Sequence, residues 1–299
     1  MTRAGSGAAF ARVALAGNPS DGYGGRTVAV VVREFEATAS AEPADRDALH
    51  SPGPGGDALM RAALERFRGV LGQSQSVTLR CETSVPREVG LAGSSAIVIA
   101  CARALCDLHE GRLEHDELAR HALAVETEGL GIAAGLQDRI VQARETLVAM
   151  DFGGEPSYEE LDPALLPPLY VAWHPDAAAP SGVAHGLLRE RHAAGDAEVV
   201  AAMSRLAELG EVARLALLER DRAAFSACVD GSLDERRKIM QVDPLTLAMV
   251  EAARAAGASA NSAGSGGAVV GTLPDEDMWP QLRERLESVG ARAIRPQTP

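Results

Sequence analysis

The segment Pro86-Arg87-Glu88-Val89-Gly90-Leu91-Ala92-Gly93-Ser94-Ser95-Ala96 constrains this chain more than any other. An alternating run, Ser76 to Cys81, precedes it and reads as a strand. The apolar stretch from Ala96 to Leu105 follows it and reads as a buried helix. Strand, glycine-serine loop and helix, in that order, make a cradle for phosphate. Glycines let the backbone approach an anion closely, and the free N–H groups of a helix start point at it along the helix dipole. The hydroxyls of Ser94 and Ser95 can add hydrogen bonds or reach a metal ion. The same residues also suit a plain turn, and the GxxxxGKS/T spacing of a P-loop is absent.

Composition narrows the partners. A chain of 299 residues is long enough for two modest domains, and 46% hydrophobic with 24% charged residues fits a soluble globular protein. The net charge of −13 disfavours a nucleic-acid or anionic-membrane partner, whose phosphates demand basic patches. It leaves room for a small anionic substrate held by a local cluster of cations. Lys238 is the single lysine among 29 basic residues, so a cation in any site is expected to be arginine. Cys81, Cys101, Cys106 and Cys228 stand in apolar or helical contexts with no CxxC pair, which favours free thiols over zinc or disulfides. No apolar run is long enough to span a membrane, and Met1 to Ala9 lacks a signal-peptide pattern, so a cytoplasmic protein is expected.

Periodicity predicts strands over Arg12 to Ala16 and Arg26 to Arg33, with a mobile loop from Ala37 to Asp57. Helices are expected over 58–70, 113–129 and 135–143, and a strand over 146–152. The polar, proline-bearing stretch Gly153 to Pro168 is the expected joint, dividing the chain into domains 1–160 and 161–299. Beyond it come a strand at 169–174 and helices at 182–191, 197–218, 222–241 and 244–256. A strand at 268–273, a helix at 277–289 and a last strand at 291–295 complete the pattern. Few βαβ units in this order mean α+β, two layers per domain.

Three further segments could carry chemistry. Arg12 to Ala16 runs into the polar turn Gly17-Asn18-Pro19-Ser20-Asp21, which reads equally as a hairpin. Gly131 to Arg139 leads into a helix whose first turn holds Asp138, either a dipole partner or a general base. Glu126 and Glu128, near the end of the preceding helix, are metal ligands or a solvated face. Ala260 to Val270 is a glycine loop entering a strand, either a turn or an anion loop.

In this order the segments resemble the three motifs of the GHMP kinases (galactokinase, homoserine kinase, mevalonate kinase and phosphomevalonate kinase). P-x-x-x-G-L-x-G-S-S-A resembles their nucleotide loop. The first segment is similar to galactokinase R-V-N-L-x-G-E-H-T-D-Y: Arg12, Gly17 and Asp21 match, and Asn18 stands where glutamate does. The segment at Asp138 resembles C-G-I-M-D-Q, and Glu126 lies at the offset of the family's metal-binding glutamate, with Glu128 the competing choice. Gly264, Ser265, Gly266 and Gly267 match K-x-T-G-A/S-G-G, while Asn261 and Ala263 replace its lysine and threonine.

The resemblance implies a two-domain fold with a ribosomal S5 domain 2-like N-terminal domain and a ferredoxin-like C-terminal domain. It implies ATP as donor and Mg2+ as cofactor. ATP would lie on Pro86, Gly90, Leu91, Ala92, Gly93, Ser94, Ser95 and Ala96, and the metal on Ser95 and Glu126. Asp138 would be the catalytic base, with Arg12 holding it ionised. Asn18, Asp21, Gly135, Arg139, Gly264, Ser265 and Gly266 would bind the acceptor.

Within the family, several segments resemble the glucuronokinases, which phosphorylate D-glucuronate at C1. They include 17–21, Val85-Pro86-Arg87, 91–98, 134–139, Met150-Asp151-Phe152, 165–169 and Arg236-Arg237. The implied partners are a small acidic sugar and ATP, with no nucleic acid and no membrane. A uronate carboxylate calls for a bidentate arginine. Arg87, Arg139, Arg189, Arg236 and Arg237 are the candidates, each equally at home on a surface, and His185 has the same standing. The alternatives are another acceptor (a neutral hexose, a heptose phosphate or a mevalonate-like acid) or a catalytically inactive binding module.

Overall fold

The computed structural model describes residues 3–177 and 181–297, the side chains of 181–185 excepted. In chain order the elements are β1 (Gly5–Ala16), β2 (Arg26–Pro43), β3 (Ala48–His50), α1 (Gly56–Leu71), β4 (Val77–Thr83), α2 (Gly93–Leu108) and α3 (His115–Ala124). A π-helical turn (Val125–Gly129) extends α3; α4 (Gln137–Arg144), β5 (Leu147–Asp151) and β6 (Ser157–Leu161) follow. Then come β7 (Leu169–Trp173), α5 (Ser181–Ala193), α6 (Ala197–Leu218), α7 (Arg222–Ile239) and α8 (Pro244–Ala255). The chain ends with β8 (Asn261–Ser262), β9 (Ala268–Thr272), α9 (Trp279–Ser288) and β10 (Arg292–Ile294).

One sheet has the order β3-β4-β2-β5-β6 with β1 beside β2; the other, β10-β7-β9-β8, is antiparallel throughout. The mixture is α+β, as expected.

Two stretches differ from the sequence expectation. The loop expected from Ala37 is strand as far as Pro43, in register from Ala37↔Thr83 to Pro43↔Val77, and β3 lies beyond it. Its inward residues are Ala37, Ala39 and Ala41. The strand period of 2 is present, but alanine makes its apolar phase faint. The expected joint contains β6, paired with β5 from Leu147↔Leu161 to Asp151↔Ser157. Only Leu161 of β6 is buried, so this edge strand has almost no apolar face to betray it.

Two compact units are interleaved along the chain. The first comprises Met1–Ala11, Arg33–Val85 and Ala92–Glu145; the second comprises Arg12–Val32, Pro86–Leu91 and Thr146–Pro299. In the first unit α1 packs along α2, and α2 is apolar on nearly every face, burying residues from Ser95 to Leu108. Each large side chain buried this way contributes roughly 1.5–3 kcal/mol, which holds the loop before α2 on a rigid support. In the second unit the core of the antiparallel sheet gathers Tyr170, Leu233, Met249, Val269, Leu282 and Leu286. There α6 packs on α7, which turns Ser232 and Arg236 of α7 into the interior. Among the described residues no helix is long and apolar enough to cross a membrane.

Candidate active site

The expected site residues fall into two groups, one within each unit. In the first, Ala92 precedes α2 in the left-handed conformation, φ 61 and ψ 42. A non-glycine residue there costs on the order of 1–3 kcal/mol. Its carbonyl oxygen is fixed by three donors: Ser95 Oγ at 3.1 Å, the Ala96 N–H at 3.1 Å and Gln142 Nε2 at 3.0 Å. Gln142 Nε2 also donates to the Phe10 carbonyl at 2.8 Å, so α4 ties the loop to β1. Helix α2 has no side-chain cap and no acid in its first turn, which leaves its leading N–H groups to an anion.

Ser94 is exposed, and its Oγ donates to Glu126 Oε1 at 2.8 Å. Glu126 is 1% exposed, and its other oxygen accepts Arg139 Nη2. Arg139 also donates to the Gly135 carbonyl at 2.7 Å and lies 3.6 Å from Asp138 Oδ2. Ser94, Glu126, Arg139 and Asp138 thus form one connected set, and Asp138 is partly exposed in the first turn of α4. The π-helical turn carries Glu126 inward, while Glu128 is exposed and paired with Arg66 at 2.9 Å. Of the two glutamates left open by sequence, Glu126 is the one brought to the loop.

Ser95, expected to hold the metal, is fully buried with its hydroxyl bonded to the Ala92 carbonyl. Successive helical side chains differ by about 100° in direction, so with Ser95 inward it is Ser94 that meets Glu126. A hydroxyl and a carboxylate oxygen 2.8 Å apart are hard donors that suit a magnesium ion completed by phosphate oxygens and water. Among the described residues no three His, Cys, Asp or Glu side chains form a metal cage of their own.

In the second unit the turn after β1 is held from behind. Ser232 Oγ accepts the Gly17 N–H at 3.1 Å. Asn18 is 3% exposed; its Nδ2 donates to the Ser262 carbonyl at 3.3 Å, and its Oδ1 accepts Asn261 Nδ2 at 3.0 Å. Asn261 Nδ2 also donates to the Leu15 carbonyl at 3.1 Å. The residue that departs from the family lysine therefore locks the turn, and Asn18, expected on the acceptor, faces inward. Asp21 is partly exposed, in a 3-10 turn over Ser20–Tyr23.

Two buried arginines support the third glycine loop. Arg12 Nη1 donates to the carbonyls of Ala263 (2.6 Å) and Gly90 (3.0 Å). Arg236 donates to those of Ser262 (3.1 Å) and Gly264 (2.7 Å). Three consecutive carbonyls, 262 to 264, each receive a guanidinium hydrogen. A side chain on Gly264 would run into the Gly90 carbonyl and Arg12, and Gly90 itself sits at φ 82 against Ser265 and Gly266. Glycine at both places lets the two loops touch backbone to backbone. Gly264, Ser265 and Gly266 stay partly exposed.

The five arginines separate clearly. Arg139 is committed to Glu126. Arg87 is exposed beside Glu88 at 3.6 Å, and Arg189 and Arg237 are exposed, with Arg189 near the Tyr23 hydroxyl. Arg236 alone of the remaining four is buried. Burial pushes its pKa down to about 10, Arg12 acts in the same sense and Asp21 opposes both. The side chain of His185 lies outside the described residues. Sequence reasoning missed Gln142 and Ser232. Their signal is helical spacing: Gln142 follows Asp138, and Ser232 precedes Arg236, by four residues on one face.

Comparison with known proteins sets these residues in context. Residues 58–145, which contain Ser94, Glu126 and Asp138, match the family model described as the GHMP kinases N terminal domain. The chain is 32% identical to Glucuronokinase 1 of Arabidopsis thaliana, over 92% of this chain and 86% of that protein. Probable glucuronokinase 2 of the same plant is 34% identical over the same shares. Among solved structures, galactokinase of Lactococcus lactis complexed with galactose superposes with a TM-score of 0.87 at 15% identity, covering 99% of this chain and 94% of that one. That superposition shows a shared two-domain α+β fold.

Proposed function

Because this chain belongs to the GHMP kinase family, we propose that it transfers the γ-phosphoryl group of ATP to the C1 hydroxyl of D-glucuronate. The chain is a phosphotransferase with a hydroxyl acceptor, as its family and its two plant relatives support. The observation that carries the choice of acceptor is the likeness to the two plant glucuronokinases, which extends over 92% of the chain and so far beyond the glycine-bearing motifs.

In this reading the triphosphate lies against the open start of α2, where the N–H groups of the first turn take phosphate oxygens. Ser94 and Glu126 would hold a magnesium ion, with Arg139 fixing the second oxygen of Glu126. When bound, the ion neutralises charge on the phosphates as the phosphoryl group moves. Asp138 accepts the proton of the acceptor hydroxyl. A bond then forms between the C1 oxygen and the γ-phosphorus as the bond to the β–γ bridging oxygen breaks, giving glucuronate 1-phosphate and ADP. Asp21 takes a sugar hydroxyl, and the Gly264 to Gly266 backbone lines the acceptor. Arg12 keeps the third loop in place through Ala263 and adds positive charge beside it.

The test is ADP release with Mg-ATP and D-glucuronate, run beside galactose, glucose and mevalonate. Release with glucuronate alone is expected. Release with a neutral sugar and not with glucuronate would keep the kinase and overturn the acceptor. Silence with all four would favour an inactive binding module.

A further inference from the structure

Resting on that reading, we propose that Arg236 recognises the acceptor carboxylate and so selects a uronate over a neutral sugar. Arg236 is 2% exposed in the last turn of α7. Its two Nη groups donate to the main-chain carbonyls of Ser262 and Gly264, which are neutral. Its Nε is buried and has no hydrogen-bond partner. Among the described residues no carboxylate lies within ion-pair distance of it, whereas Arg139, equally buried, is paired with Glu126. A guanidinium buried without a counter-ion is unfavourable, and an orphaned donor adds to the cost. A ligand carboxylate removes both penalties at once: it brings the missing charge and accepts Nε–H together with an Nη–H as a planar fork.

The position agrees. One helical turn before Arg236, Ser232 holds the N–H of Gly17, where the turn bearing Asp21 begins. Arg236 itself holds the loop of Gly264. Its guanidinium is therefore fixed by one helix face to the two segments assigned to the acceptor, all within the second unit. Asp21 and Arg12 are the charges close enough to be felt there. Asp21 leaves a sugar hydroxyl partner in the same place, and Arg12 adds to the positive potential.

The experiment compares kcat/KM for D-glucuronate with that for D-glucuronamide, whose amide replaces the carboxylate at nearly the same size. In Arg236→Gln the ratio of the two should fall about 100-fold, the order expected when a charge-assisted fork is lost. Arg236→Lys, which keeps the charge without the fork, should fall between, and it carries the test if the glutamine variant does not fold. A residue that merely supported the loop would depress both acceptors together, so an unchanged ratio overturns the proposal while leaving the glucuronate reading intact. A wild-type enzyme that uses galactose and ignores glucuronate overturns that reading, and this inference with it.

Discussion

Helices α6, α7 and α8 of the second unit each start on an aspartate that takes the leading N–H groups. Asp196 accepts from Glu198 and Val199, Asp221 from Ala224, and Asp243 from Leu245 and Thr246. Helix α2 of the first unit starts on Ala92, with no side-chain cap and no acid in its first turn. Helices α1, α3 and α4 also lack a side-chain cap, yet Asp57, Asp116 with Glu117, and Asp138 put negative charge in their first turns. The same orphan N–H groups are thus treated in opposite ways. Helix α9, itself without a side-chain cap or first-turn acid, runs on from a 3-10 turn (Glu276–Met278) whose start Asp275 caps. At α6, α7 and α8 the chain closes the end with its own carboxylate. At α2 it leaves the end open and spends three hydrogen bonds holding an alanine in a left-handed conformation so that the opening keeps its shape. What sets α2 apart is the combination of an uncapped start with a fixed glycine-serine loop before it, an arrangement in which an anion can lie against the N–H groups.

The comparison is tested hardest at α4, whose first-turn acid could serve the dipole or the reaction. Asp138→Asn should lower kcat by about 10^2- to 10^4-fold, the range for losing a general base, with a small change in melting temperature. If kcat holds and only the melt moves, α4 joins the structural group. At α2 the prediction is a conflict of signs. Ser94→Asp should favour the helix by about 0.3–1 kcal/mol through the dipole, yet raise the KM for ATP by roughly 100-fold, because it puts a carboxylate where phosphate belongs and disturbs Glu126. Titrating ATP alongside a thermal melt checks both arms, and an unchanged KM would remove α2 from the anion site. The smallest effect is expected at α7: Asp221→Ala should cost about 1 kcal/mol of stability and leave the KM for ATP where it was. A matching loss of ATP affinity would erase the contrast between the two kinds of helix start.

Much of this was legible in the residues. The bounds of α6 coincide with the apolar period expected there, and the glycine-serine loop falls between a strand and a buried helix as its spelling requires. Glu126 and Asp138 were named from the resemblance to the family's motifs, with Glu128 left as the competing choice. The second half of β2 was not legible, because alternating alanines carry little apolar contrast, and β6 was not, because an edge strand needs almost none. The sequence reading put the metal on Ser95, whereas the structure brings Ser94 to Glu126, and it left open Glu126 against Glu128 and Arg236 against four other arginines.

Those choices share a physical cause. Local order in this chain follows from short-range facts: where glycine frees the backbone, where apolar residues recur at 2 or 3.6, and where a helix can begin. By itself the sequence determined the kinds of element, their succession and the three loops that could carry chemistry. Which side chain of a pair turns inward depends on what covers the helix face, and that cover comes from far along the chain. Arg12 meets the Ala263 carbonyl across 251 residues, and Gln142 meets that of Phe10 across 132. Only the tertiary structure decided that Ser94 would reach Glu126, that Asn18 and Asn261 would lock each other, and that Arg236 would be buried with one hydrogen unpartnered.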